Sequence, residues 1–92
     1  MTVNRILVDG AGIRNMYQFH RALQSAFGFP EWYGCNLDAL YDCLTDIQED
    51  TWLFILKAPV LYEELGDGFD RFVHVFLDAC EVRPNLNLVL KA

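Results

Sequence analysis

The sequence predicts an α/β fold, a three-stranded parallel sheet covered by about four helices in the order β-α-α-β-α-α-β. Three observations carry that expectation. Short runs of β-branched or compact apolar residues fall at 3–8, 51–57 and 86–90. The two intervals between them carry apolar residues at spacings of three and four, the helical period. Helical connections between strands favour right-handed crossovers and parallel pairing, with helices covering the hydrophobic faces of the sheet.

Residues 3–8 are stopped by the turn pair Asp9-Gly10 and read as the first strand. Met16, Phe19, Leu23 and Phe27 line one side of a helix over 15–27, with Asn15 as its cap and Gly28 just beyond its end. A loop with Pro30, Trp32, Tyr33 and Gly34 follows, and Asn36 can cap a second helix from Leu37 to about Ile47. Residues 51–57 contain WLFIL, are too short for a helix, and read as a central strand buried on both faces. Pro59 suits the first turn of a short helix ending near Leu65, where its missing amide is not needed, and Gly66-Asp67-Gly68 breaks that helix. Phe69, Phe72, Val73, Phe76, Ala79 and Cys80 form a wide apolar arc over 69–81. Pro84 closes that segment before a last strand at 86–90. No repeat, low-complexity tract or linker divides the chain, so 1–92 is expected to be a single domain.

A chain of 92 residues buries only about 60–65% of the surface its unfolded form exposes, and a composition 53% apolar suffices for that. The N-terminus MTVNRILVDG lacks the cationic start and apolar block of a secretory signal, and no apolar run is long enough to span a bilayer. A soluble cytoplasmic protein is expected, with no membrane partner. Seven basic against thirteen acidic residues give a net charge of −6, which disfavours direct nucleic-acid binding and favours a basic protein as partner. The three cysteines form no CxxC or Cys/His ligand spacing, so neither a disulfide framework, a metal nor any other cofactor is expected.

Charge is unevenly placed. Between Arg21 and Lys57 there is no basic residue, while Glu31, Asp38, Asp42, Asp46, Glu49 and Asp50 supply six of the thirteen acids. At 100° per residue, Leu37, Leu40, Leu44 and Ile47 cluster on one side of the second helix; Asp38, Asp42, Thr45 and Glu49 lie opposite, with Asp46 on the flank and Tyr41 between. Asp38 sits in the first turn, where the helix dipole favours a carboxylate, but Asp42 and Asp46 gain no such help. No Lys or Arg stands four residues away to offset their repulsion. Trp32 and Tyr33 either plug the loop onto the core or serve as rigid aromatic anchors beside the charge. Together these features favour a protein-binding surface over a merely solvated face.

An enzyme would need a nucleophile or an acid/base set, and no GxSxG, HExxH or phosphate-loop pattern occurs. His20, at the edge of its helix's apolar stripe, reads as a hydrogen-bonded structural histidine, and His74 as a surface residue. Cys43 and Cys80 read as buried thiols and Cys35 as the exposed one. Asp38, Asp42 and Asp46 lack the loop pattern of a calcium site, and one helix presents ligands poorly around a metal.

The segment GFPEWYGCNLDALYDCLTD resembles the signature of the barstar family of ribonuclease inhibitors. The resemblance extends through IRNMYQFHRAL, WLFIL, VHVFLDA and LNLVL, nearly the whole chain. It implies a barstar-like fold and a non-enzymatic, immunity-protein or antitoxin type of role: the second helix and its preceding loop plug the basic active site of a barnase-like microbial ribonuclease, their carboxylates standing in for substrate phosphates. By position it implies that Trp32 stacks at the catalytic centre. Gly34, Asn36 and Leu37 match turn and contact positions, Asp38 and Asp42 the acidic contacts with Asp42 central, and Thr45 and Asp78 further contacts. Tyr41 replaces a tryptophan, and Asp46 and Ile47 stand where the family prototype has glycine and tryptophan. The chain is expected to be monomeric until bound. The alternative is an acidic adaptor or regulator that keeps the fold but binds something other than a ribonuclease.

Overall fold

The computed structural model describes residues 2–92 and contains β1 (Val3–Asp9), α1 (Met16–Phe27), α2 (Leu37–Thr45), β2 (Asp50–Leu56), α3 (Ala58–Leu65), α4 (Asp67–Val82) and β3 (Leu86–Leu90). The strands form one parallel sheet in the order β1-β2-β3. Val3 lies opposite Asp50 and Asp9 opposite Leu56, while Thr51 lies opposite Leu86 and Ile55 opposite Leu90. Both crossovers therefore step across the sheet in the same direction. Two right-handed connections that do so must pass over the same face, which puts all the helices in one layer.

Burial along the central strand follows from that geometry. Thr51, Leu53 and Ile55 are buried, whereas Trp52 is exposed and Phe54 and Leu56 are half-buried. The expectation of a strand covered on both faces is thus corrected: the continuous apolar run WLFIL hides a period of two, with only one set of side chains under the helices. On the outer face Arg5 pairs in register with Trp52, and Leu7 with Phe54.

The covered face holds the core. α4 packs on α2, α3 and β3, and its Phe72 and Phe76 are wholly buried with Phe19 and Leu23 of α1, Leu40 and Leu44 of α2, and Leu61 of α3. Phe72 meets Phe19 edge to face at 4.8 Å. Each such side chain stabilises the fold by about 1.5–3 kcal/mol relative to exposure.

Helix boundaries have identifiable causes. Asn15 accepts the Gln18 amide at 2.9 Å while Gln18 accepts the Arg14 amide at 2.8 Å, and left-handed Gly28 donates its amide to the Gln24 carbonyl at 2.9 Å. α2 stops at Thr45, two residues before the expected end. The Thr45 hydroxyl donates to the Tyr41 and Asp42 carbonyls, Arg83 Nε donates to the Thr45 carbonyl, and Asn85 Nδ2 donates to the carbonyls of Ile47 and Glu49. Those donors take the carbonyls that further helix would have used. The break between α3 and α4 is Gly66 alone, at φ 55°, and Gly68 lies inside the first turn of α4 against the Met16 side chain.

β1 leaves the sheet through Gly10, whose amide donates to the Leu56 carbonyl at 2.8 Å. A β-carbon there would stand 2.8 Å from that same oxygen and 3.0 Å from the Lys57 carbonyl, both backbone atoms. Gly10→Ala is expected to cost about 1–3 kcal/mol in urea denaturation, the usual penalty for forcing atoms into filled space. A change within experimental error would mean that the end of β2 yields easily.

Candidate functional site

The loop between α1 and α2 is fastened to α1 at several points. Phe29 donates its amide to the Gln24 carbonyl at 3.0 Å, Gln24 Nε2 donates to the Pro30 carbonyl at 3.0 Å, and the Tyr33 amide donates to that carbonyl at 2.9 Å. Phe27 and Phe29 stack with ring centres 4.9 Å apart. The decisive contact is buried: His20 Nδ1 lies 2.6 Å from the Tyr33 hydroxyl. Burial, followed by the Cys35 and Cys43 thiols, pushes the Tyr33 phenol up, and burial pulls His20 down. The phenol therefore keeps its proton and the imidazole stays neutral, so the bond joins two uncharged groups. His20 is the hydrogen-bonded structural histidine that its position suggested.

Two adjacent aromatics thus separate. Tyr33 plugs the core, and Trp32 is left 74% exposed. Next to it, Asn36 accepts the Ala39 amide at 2.8 Å and donates to the Gly34 carbonyl at 3.2 Å, joining the loop to the first turn of α2. A β-carbon at Gly34 would come 2.9 Å from Asn36 Nδ2, so the loop closes most easily around glycine. Cys35 between them adopts φ 51° and is half-buried rather than exposed, a correction that follows from its packing against the core.

α2 buries Leu40, Cys43 and Leu44 and leaves Asp38 and Asp42 exposed, as the helical period requires. Leu37, Tyr41 and Thr45 are half-buried along the border, and the Thr45 hydroxyl is committed to its own helix. Asp46 is exposed at the cap position beyond the helix, where its amide reaches the Cys43 carbonyl at 3.3 Å. Burial, then the charges of Asp46 and Asp42, push the Cys43 thiol up, so it stays protonated and unreactive. Asp78 is exposed on α4, the helix packed most extensively against α2. Glu31, Glu49 and Asp50 are also exposed, so these elements present a mainly acidic surface, with Arg83 at the end of α2 and Arg21 near Glu31 as the cations close to it.

Sequence reasoning missed Arg83 and Asn85, which hold the end of α2 from 38 residues away along the chain. No local pattern announces them. Among the described residues no group of three His, Cys, Asp or Glu side chains is placed to hold a metal ion, and no helix is long and apolar enough to cross a membrane.

Comparison with known proteins agrees with the fold. The family model described as Barstar (barnase inhibitor) matches residues 3–90, and the chain belongs to the barstar family. It is 44% identical over 55 residues to the Bacillus subtilis (strain 168) protein named "Putative ribonuclease inhibitor YrdF". That match spans 60% of this chain and 60% of its relative.

The His20–Tyr33 bond gives stability a pH dependence. Burial lowers the folded-state pKa of His20 below its unfolded value of about 6.5. Its contribution is complete above that value and is lost as pH falls below it, because the unfolded chain then binds the extra proton. His20→Gln keeps a hydrogen-bonding group that does not titrate. Thermal unfolding from about pH 7.5 to about 5.5 should show wild type losing stability relative to this variant. Parallel profiles would count against the role of His20.

Proposed function

We propose that this member of the barstar family is a ribonuclease inhibitor, not an enzyme, that blocks the basic active site of a microbial, barnase-like ribonuclease. The observation that carries this reading is the exposure of Asp38 and Asp42 on one side of α2, with Trp32 exposed on the loop that leads into that helix. Carboxylates at helical spacing resemble successive backbone anions of RNA, and an enzyme that binds phosphates offers cations to meet them. The name of the Bacillus relative supports the same reading.

Residue roles follow from the resemblance to the barstar family. Asp42 lies mid-helix and enters the centre of the cationic cleft, with Asp38 one turn earlier. Trp32 stacks on the enzyme's catalytic side chains, and Gly34, Asn36 and Leu37 bring the loop's backbone against the cleft. Tyr41, Thr45 and Asp46 form the edge of the contact, and Asp78 on α4 reaches its periphery. Inhibition is by occlusion and involves no covalent step. The negative field speeds encounter, and the desolvated central pairs slow release.

Stoichiometric titration into a guanyl-specific ribonuclease assay tests the function, and loss of inhibition in Asp42→Ala tests the site. That substitution is expected to weaken binding by about 2–5 kcal/mol, the range general to removing one partner of a buried charge pair. Glu64→Gln, on α3, should alter only the association rate and its salt dependence. Equal, small effects of both would place the interface elsewhere, and absence of inhibition across several such enzymes would point to a partner that is not a ribonuclease.

A further inference from the structure

Beside the acidic side of α2 lies a groove of about 300 Å³ between the α1–α2 loop and the segment leaving α2. Phe27, Phe29 and Trp32 line it from the loop, Ile47 from the segment leaving α2, together with the exposed Asp46 and Glu49. The aromatic lining is held in place, since Phe27 and Phe29 stack within 6° of parallel and the Phe29 amide is tied to Gln24. The segment leaving α2 is held as well, because Asn85 donates to the carbonyls of both Ile47 and Glu49.

We propose that this groove receives a single arginine side chain from the protein partner and so helps choose which partner binds. This rests on the protein-binding reading of α2 and adds to it a second, off-centre contact. A groove lined by apolar side chains and two exposed carboxylates fits a side chain that is hydrophobic along its stem and cationic at its tip. Trp32 offers an exposed aromatic ring to a planar cation, and Asp46 and Glu49 offer carboxylate acceptors to a guanidinium. Lysine fits less well. Its compact ammonium is more strongly hydrated and does not stack on an aromatic plane as guanidinium does. A neutral side chain would leave both carboxylates without a counter-charge in a contact that excludes water.

The first test needs no ribonuclease. N-acetyl-arginine amide is titrated into the protein and followed by amide and indole NMR. Saturable shifts are expected at the Trp32 indole, at 27–29 and at 46–49, while the uncharged isostere N-acetyl-citrulline amide should produce none. The double variant Asp46→Asn, Glu49→Gln should bind the arginine probe on the order of tenfold more weakly, and the lysine analogue should be weaker than arginine toward wild type. Equal shifts with citrulline, or shifts spread over every acidic surface, would overturn the proposal. A second arm uses an arginine-bearing ribonuclease that wild type inhibits. Loss of inhibition in Asp42→Ala, with unchanged inhibition in the double variant, would sink the groove and spare the function. Arginine binding without inhibition of any ribonuclease would do the reverse.

Discussion

The packing of α2 through Leu40 and Leu44 is the contact on which the acidic surface depends. Both side chains are wholly buried, against a helix layer centred on α4. Burial of each contributes about 1.5–3 kcal/mol, whereas a like-charge pair one helical turn apart costs only about 0.2–0.5 kcal/mol. The apolar side wins by several-fold. Asp38, Asp42 and Asp46 can therefore repel one another without melting the helix or rotating it, and the direction in which they face is set by leucines that never meet solvent.

That packing depends in turn on the handedness of the chain. With strands ordered β1-β2-β3 and both crossovers right-handed, every helix lies on one face, and α2 has neighbours on its inner side alone. Its outer side is left to water. The same rule leaves the far face of the sheet open, which is why Leu7 and Trp52 are exposed although they sit in strands. Arg5 beside Trp52 on that face places a charge among apolar groups, a device that discourages sheet-to-sheet association.

Much of this was legible in the sequence because it is governed by local periodicity. The order of elements, the caps at Asn15 and Asn36, the buried and exposed sides of α2, and Gly28 as a helix stop all follow from patterns within one or two turns. Features set by distant partners were not legible. Trp32 and Tyr33 are neighbours of similar chemistry, and the contacts of Tyr33 with His20 of α1 and with Phe29 decide which one is buried. The end of α2 at Thr45 is fixed by Arg83 and Asn85, far away in the chain. The exposed side of β2 was hidden by apolar residues at every position from 52 to 56, where no alternation exists to be read. The roles proposed for Asp42 and Trp32 in a complex came from family resemblance, since helical period alone distinguishes an outward aspartate from a buried leucine and nothing more.

The two ends of α2 are constrained to a degree that a simple solvated helix does not require. At its start Cys35 occupies the left-handed region at φ 51°, a conformation that costs a non-glycine residue roughly 1–2 kcal/mol, and Asn36 ties the turn on both sides. At its end three side-chain donors replace the next helical amides. Tyr33 anchors the loop between the helices through a buried bond, so the exposed Trp32 rides on fixed backbone. A surface so held loses little conformational freedom when it meets a partner, and ordering costs of about 0.5–1.5 kcal/mol per mobile side chain are the costs that most reduce interface affinity. Strain that would otherwise be a defect then has a physical purpose. It is met once, in folding, and it fixes the backbone that carries the carboxylates and the indole.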